Sequence, residues 1–328
     1  LRFVDCVLTV TQGEREWPIP LIEGGWLTYD NERRAFVIDI AVQPGEQAHM
    51  LPVLFKAFTG YTLDGQISIA GTVGVDGQRP AITATLRDAV LSNADGSQRF
   101  AGITGQVTLD GFDPLTTPNG QRLAWTSGRF GQLQIGDGSV QCHLGAGPTL
   151  HLERLQWKIG SGRYWAHAFD IRPDQPDLKI NLFWENVDLN DWLALVAADK
   201  AKGTGRLFGR LPIRIQTQPA LKLTFGEGYL ISSGPGSVTI EDKELVEEMV
   251  TTYAGQIGGE GDVGAMVQDR VVQALQDFQY EELSFVVELE DGEPVLRVKT
   301  HGQGRVVPQE LHLEVNFRGV GPLMDLLM

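Results

Sequence analysis

A mainly β fold of antiparallel strands follows from three features of this sequence. Its 39 glycines are neither tandem nor periodic and fall between strand-like runs. Several follow aspartate, at Asp64-Gly65, Asp76-Gly77, Asp95-Gly96, Asp110-Gly111, Asp137-Gly138 and Asp291-Gly292. Asp-Gly suits tight hairpin turns that need positive φ. Between the glycines, apolar residues recur with a period of two, the signature of a sheet with one greasy face.

In chain order, Arg2–Thr11, Trp26–Asp30 and Arg33–Val42 read as strands, with Phe36, Ile38 and Ile40 sharing a face. From Pro44 to Thr59 the chain is irregular or partly helical. Leu51, Leu54, Phe55 and Phe58 have helical spacing and Pro52 fits a first turn, which suits a plug or edge cover. Strands then follow steadily. Gln66–Val75 places Ile67, Ile69, Val73 and Val75 on one face, before Ala81–Ser92 and Phe100–Leu109. After a loop from Pro114 to Gly120 come Arg122–Trp125, Gly131–Ile135, Ser139–Leu144 and Thr149–Ile159. In the last of these the apolar phase shifts from Leu150 and Leu152 to Leu155, Trp157 and Ile159. One extra residue flips every later side chain, so a bulge is expected there.

Arg163–Ile171 and Leu178–Val187 precede a short helix near 188–199 with an Asp or Asn N-cap. Gly203 to Gly236 reads as two long strands, Arg206–Gln216 and Leu221–Ser232, with Gly226-Glu227-Gly228 interrupting the second. Helices are expected near 242–254 and 263–279, separated by a glycine-rich break. Their apolar stripes, such as Leu245, Val246, Met249, Val250 and Tyr253, suit core packing more than a lipid-facing role. The chain closes with strands Glu281–Leu289, Val295–Thr300 and Gln309–Phe317. In the last, Leu311, Leu313, Val315 and Phe317 alternate with polar residues. Residues 1–60 form an N-terminal strand and partly helical segment, and residues 61–328 the main β region.

Composition excludes several functions. The 328 residues carry a formal net charge of −15 with no Lys/Arg cluster, so nucleic acid, which demands a concentrated basic surface, is not a partner. The only cysteines, Cys6 and Cys142, permit a disulfide but do not require one. A zinc site on Cys142, His143 and His151 meets the difficulty that neighbours in a strand face opposite ways. The six histidines show no metal-binding spacing, and no Walker loop or GxSxG elbow occurs. Gly203-Thr-Gly205-Arg-Leu-Phe-Gly209 opens a strand rather than a helix and so is no dinucleotide loop. Glu153, Glu185, Asp188 and Asp191 could supply a glycosidase dyad, though carboxylates of an acidic chain are normally solvated surface. No cofactor and no catalytic residue is expected. The longest apolar run, Trp192 to Ala198, is too short to cross a bilayer. The chain opens in strand-like sequence without an initiator Met, and we expect a fragment of a longer polypeptide whose membrane anchor lies elsewhere.

The run Gly203-x-Gly205-Arg-Leu-Phe-Gly209-Arg-Leu-Pro212, with Gly228-Tyr-Leu230 and Gly234-Pro-Gly236, resembles the C-terminal part of YdbH-type proteins of the AsmA-like group. Ala274-Leu-Gln-Asp277-Phe278-Gln-Tyr280-Glu-Glu-Leu283 resembles that family's helix-to-strand junction. Leu133-Gln-Ile135-Gly-Asp137-Gly138, Leu150-His-Leu152-Glu153 and Val187-Asp188-Leu189 fit its rhythm, so the likeness runs from about Tyr61 to the end. His301-Gly302-Gln303 departs from the family's Gly-Asn-Pro. The resemblance implies a long, twisted, U-shaped antiparallel sheet with an apolar concave groove, anchored in the inner membrane and spanning the periplasm. The groove would carry phospholipid acyl chains toward the outer membrane, in association with a small outer-membrane lipoprotein. An older label of the family, dicarboxylate transport, would demand a basic site that no residue cluster offers.

Alternate strand residues would line such a groove. The candidates are Ile67, Ile69, Val73, Leu150, Leu152, Ile180, Leu182, Trp184, Leu221, Leu223, Phe225, Phe285, Val287, Leu296, Val298, Leu311, Leu313, Val315 and Phe317. Parity gives a side chain's face but not its partner, so a closed core between sheets or under the helices uses the same residues. Three functions fit this pattern: a lipid-transfer groove, a structural or adhesin-like scaffold with a filled core, and a carbohydrate-active enzyme with acidic residues in a polar cleft. The lining of the largest concavity separates them.

Overall fold

A computed structural model of the chain describes residues 7–12, 15–20, 26–32, 34–42, 60–74, 81–112, 114–131, 133–147, 149–172, 175, 177–196, 201–216, 222–240, 273–274, 277–290, 293–305 and 310–318. These residues are mainly β, and neighbouring strands pair antiparallel. The chain forms two compact units, one of Leu1–Lys158 with Ala166–Leu178, the other of Ile159–Trp165 with Lys179–Met328.

In the first unit, Val7–Gln12 (β1) and Arg15–Pro20 (β2) make a separate two-stranded sheet. Trp26–Asp30 (β3), Ala35–Val42 (β4), Tyr61–Gly74 (β5), Ala81–Asn93 (β6) and Gln98–Leu109 (β7) form a meander, each paired with the next. Gly111–Phe112 (β8) and Leu115–Thr116 (β9) form a small hairpin. Two strands then share β7: Gln121–Trp125 (β10) takes one part and Ser127–Phe130 (β11) the other. Leu133–Ile135 (β12) pairs with β11, Gly138–Gly145 (β13) with β10, and Thr149–Ile159 (β14) with β13.

Gly162–Ile171 (β15) and Asp177–Asp188 (β16) are divided between the units at the boundaries given above. The second unit continues with the helix Leu189–Val196 (α1), then Ala201–Thr204 (β17), Arg206–Gln216 (β18) and Lys222–Phe225 (β19). Gly228–Ser232 (β20), Gly236–Ile240 (β21), Phe278–Glu290 (β22), Glu293–Gly304 (β23) and Glu310–Arg318 (β24) complete it. The main ladder runs β18, β20, β22, β23, β24. β19 extends the far end of β18, and β17 joins through β21 to β22.

Local chemistry explains the breaks in the ladders. Asp95-Gly96 makes the expected hairpin between β6 and β7, with Gly96 at φ 69° and its N–H donating to the Asn93 carbonyl at 3.1 Å. Asp64-Gly65 does not turn the chain but lies inside β5. A Cβ at Gly65 would come within 2.5 Å of Ala89 Cα, so this glycine serves a close strand approach instead. Opposite it, the register of β6 slips by one residue and Asp88 sits at φ 50°. The bulge expected in β14 is present: Gln141 pairs with Arg154 and Cys142 with Leu152, leaving Glu153 as the extra residue.

α1 starts where expected. The Asp188 carboxylate accepts from the Asn190 N–H at 2.9 Å, and the Leu189 N–H donates to the Gly205 carbonyl at 3.1 Å. The expected segment 242–254, residues 263–272, 275 and 276 of the expected helix 263–279, and Pro44 to Thr59 lie outside the described residues, while Gln273 and Ala274 are helical. Phe278 and Gln279, placed at the end of the last expected helix, instead open β22, because Phe278 and Tyr280 bury in strand alternation.

Candidate functional site

The register gives the first unit one apolar and one polar face. Phe36, Ile38 and Ile40 pair with Val73, Gly71 and Ile69, and Ile69 and Ile67 pair in turn with Ala84 and Leu86. Across β7 the same face carries Val107 and Leu109, then Leu123 on β10 and Val140 and Leu144 on β13. It ends on β14 with Leu150, Leu152 and Leu155, the bulge having kept all three on this side. The opposite face presents Ser68, Thr83, Thr85, Gln106, Thr108, Arg122 and Gln141. Ile40 and Ile67 are buried, with Ile38, Leu63, Ile69 and Leu86 packed around them. Most of this face is nevertheless only half-buried: Val73, Leu86, Val107, Leu109, Leu123, Val140, Leu150 and Leu155 all retain partial exposure.

Of the expected lining, Ile67, Ile69, Val73, Leu150 and Leu152 therefore share a face with one another. Leu63 joins them by its parity with Ile67 in β5, and Leu86, Val107, Leu109, Leu123, Val140 and Leu155 join them through pairing that parity within one strand could not supply. Leu86 pairs with Ile67 and Leu91 with Leu63, so it is the Asp88 bulge that keeps these two β6 leucines of opposite parity on one face. Gly102, at φ 65°, sits at a further slip that brings Phe100 opposite Leu91. Phe100 then packs edge-on against Trp125 at 5.5 Å.

The second unit has a more deeply buried apolar face. Gly209 pairs with Leu230, Leu230 with Phe285, and Phe285 with Val298, while Val287 pairs with Leu296. In backbone register Leu296 meets Phe317, Val298 meets Val315, Thr300 meets Leu313 and Gly302 meets Leu311. Leu223 and Phe225 lie on β19, opposite Ile215 and Ile213. Leu221 is outside the described residues. Ile180, Leu182 and Trp184 lie on β16, the first two half-buried and Trp184 buried. Leu207, Leu230, Leu283 and Phe285 are all buried.

The helix α1 covers part of this face. Leu189, Trp192 and Leu193 are buried, and the Trp192 ring packs edge-on against Trp184 at 5.1 Å and Phe285 at 6.3 Å. Tyr164 tilts against the other side of the group, 5.5 Å from Trp184. Burial, with the Asp191 carboxylate, holds the Tyr164 phenol well above its ordinary pKa. Gly203 admits the helix, since a Cβ there would lie 2.8 Å from Leu189 Cδ2.

The polar side chains are engaged in pairs. His143 and His151 face each other across β13 and β14 with rings stacked at 4.5 Å. His143 Nδ1 bonds the Glu153 carboxylate at 2.8 Å, and His151 Nδ1 bonds Asp170 at 2.6 Å. Cys142 lies on the apolar side instead, where burial and then the Glu153 charge push its thiol pKa up. Among the described residues, no group of three or more His, Cys, Asp or Glu side chains could hold a metal ion. Cys6 lies outside the described residues. Glu185 pairs with Arg163, and Asp188 with Arg206 at 3.2 Å. Glu153 also accepts from the Gly120 N–H at 2.9 Å. No helix among the described residues is long and apolar enough to cross a membrane, a statement about helices and not strands.

Residues 35–327 match a family model described as "YdbH-like: Intermembrane phospholipid transport protein YdbH". No curated protein and no solved structure matches the chain. The matched span begins at β4, upstream of the motifs that carried the resemblance.

Proposed function

Because the chain belongs to the YdbH-like family, one of intermembrane phospholipid transport, we propose that its apolar strand faces line a groove for phospholipid acyl chains. The acyl chains travel along it across the periplasm, between the inner and outer membranes. The half-buried aliphatic face from Ile69 to Leu155 carries this reading. An acyl chain in water costs about 0.8 kcal/mol per CH₂, and a continuous aliphatic face offsets that while headgroups remain wet. Sliding along such a face needs no bond to form or break. The protein therefore works without a cofactor and without catalytic residues. It acts at the inner membrane and meets an outer-membrane lipoprotein partner.

A filled core competes with this reading in the second unit. There Trp184 and Phe285 touch Trp192 of α1, which favours packing over an open groove at those two positions. Native mass spectrometry followed by lipid extraction tests the groove. A reproducible co-purified phospholipid is expected, lost on Ile69→Asp and Val298→Asp substitution at two half-buried positions. A bare protein mass that added phospholipid leaves unchanged would instead support a structural scaffold.

A further inference from the structure

The aromatic group under α1 contains two donors that the packing does not satisfy. Trp184 and Trp192 are each 7 % exposed, and neither indole N–H finds a hydrogen-bond acceptor among the described residues. Leaving a buried donor unmade costs about 1–3 kcal/mol. Two such donors on rings 5.1 Å apart are therefore an uncommon concentration of unmet polarity inside an apolar layer. The edge-on contacts with neighbouring rings supply at most a weak N–H···π acceptor.

The remaining lining explains what kind of acceptor would fit. Leu189, Leu193, Val187 and Phe285 are buried and apolar, so a free anion or a sugar would be poorly accommodated. The Asp191 carboxylate acts on Tyr164 at the edge of this group, and its charge would repel a phosphate. A neutral carbonyl attached to a hydrocarbon chain suits both the donors and the walls. This is how an indole behaves at a membrane interface, its ring in hydrocarbon and its N–H at the polar boundary.

We propose that Trp184 and Trp192 form a recognition site for the ester carbonyls of a diacyl phospholipid, reached when α1 moves off the sheet. The inference rests on the lipid-groove reading and adds to it the part of the lipid that is read. α1 carries one of the two donors, so its displacement opens the apolar face and presents the indole N–H in one motion. Trp184 and Trp192 would set specificity for ester-linked lipid, whereas the aliphatic strands accept any acyl chain.

Competitive binding of dioleoyl phosphatidylcholine and its ether-linked analogue, which shares headgroup and chains but lacks the carbonyls, tests the site. Wild-type protein should prefer the ester lipid by roughly fivefold, the value of about one net hydrogen bond. Trp184→Phe and Trp192→Phe keep an aromatic ring and remove the donor, and each should lower that preference while both lipids still bind. Equal binding of the two lipids by wild-type protein overturns the inference without touching the groove. The same holds if the preference survives in the double variant. Binding of neither lipid overturns the groove reading and this inference with it. The wild-type comparison needs no substitution, so it holds even if a variant folds poorly.

Discussion

Tyr280 shows how a single side chain ties three elements of the second unit. Its hydroxyl donates to the Thr204 carbonyl at 2.8 Å, and its ring, 1 % exposed, fills space above Gly205 and Gly236. Burial, then the Asp188 charge, raises its pKa, so the phenol stays a donor. Tyr280→Phe removes the bond and keeps the packing, and should lower stability by about 1 kcal/mol in a denaturant titration. The two stacked histidines act through their carboxylates. The Gly120 N–H, then His143, holds Glu153 below its ordinary pKa, and His151 does the same for Asp170. A depressed carboxylate pKa gives stability that is present above the unfolded value and lost as pH falls through the folded one. The denaturation midpoint should therefore drop below about pH 4, the ordinary carboxylate range. Asp170→Asn should flatten part of that slope. The effect stays under about 1 kcal/mol, since both pairs are partly exposed and screened.

At the scale of the element, α1 is the piece whose packing decides the character of the second apolar face. Its eight residues are too few for a stable isolated helix, so tertiary contacts hold it. Leu189 is fully buried, and Leu189→Ala should cost about 2–5 kcal/mol, read as a lowered thermal midpoint. The helix was legible in the sequence because its cap and its apolar stripe are local. Its target was not, because Trp184, Trp192 and Phe285 meet across 101 residues of chain, from position 184 to 285. The bulges divide in the same way. The shift in β14 shows as a change of apolar phase between Leu152 and Leu155, while the slip at Asp88 is set by pairing with β5 and leaves no such mark.

For the whole molecule, the proposed transport depends on apolar burial rather than on charge. Phospholipid uptake should stay within about twofold as salt rises from roughly 0.05 to 0.5 M, because screening acts on exposed charges. A fall of tenfold or more in a vesicle-to-protein transfer assay would point to headgroup attraction instead. The β character of the chain, the course of most strands and the residues of each that share a face could all be read from sequence. Those properties depend on a two-residue repeat and on turn chemistry, both local. The order of glycines and hydrophobes was also enough to mark the family. Strand pairing had to come from the three-dimensional structure, and with it the finding that Ile69, Leu123 and Leu155 belong to one face. Only there do Trp184 and Phe285 fall beneath a helix while the aliphatic face of the first unit stays half-exposed. The reason is physical: alternation fixes the side of a strand a residue occupies, but cover comes from elements distant in the chain.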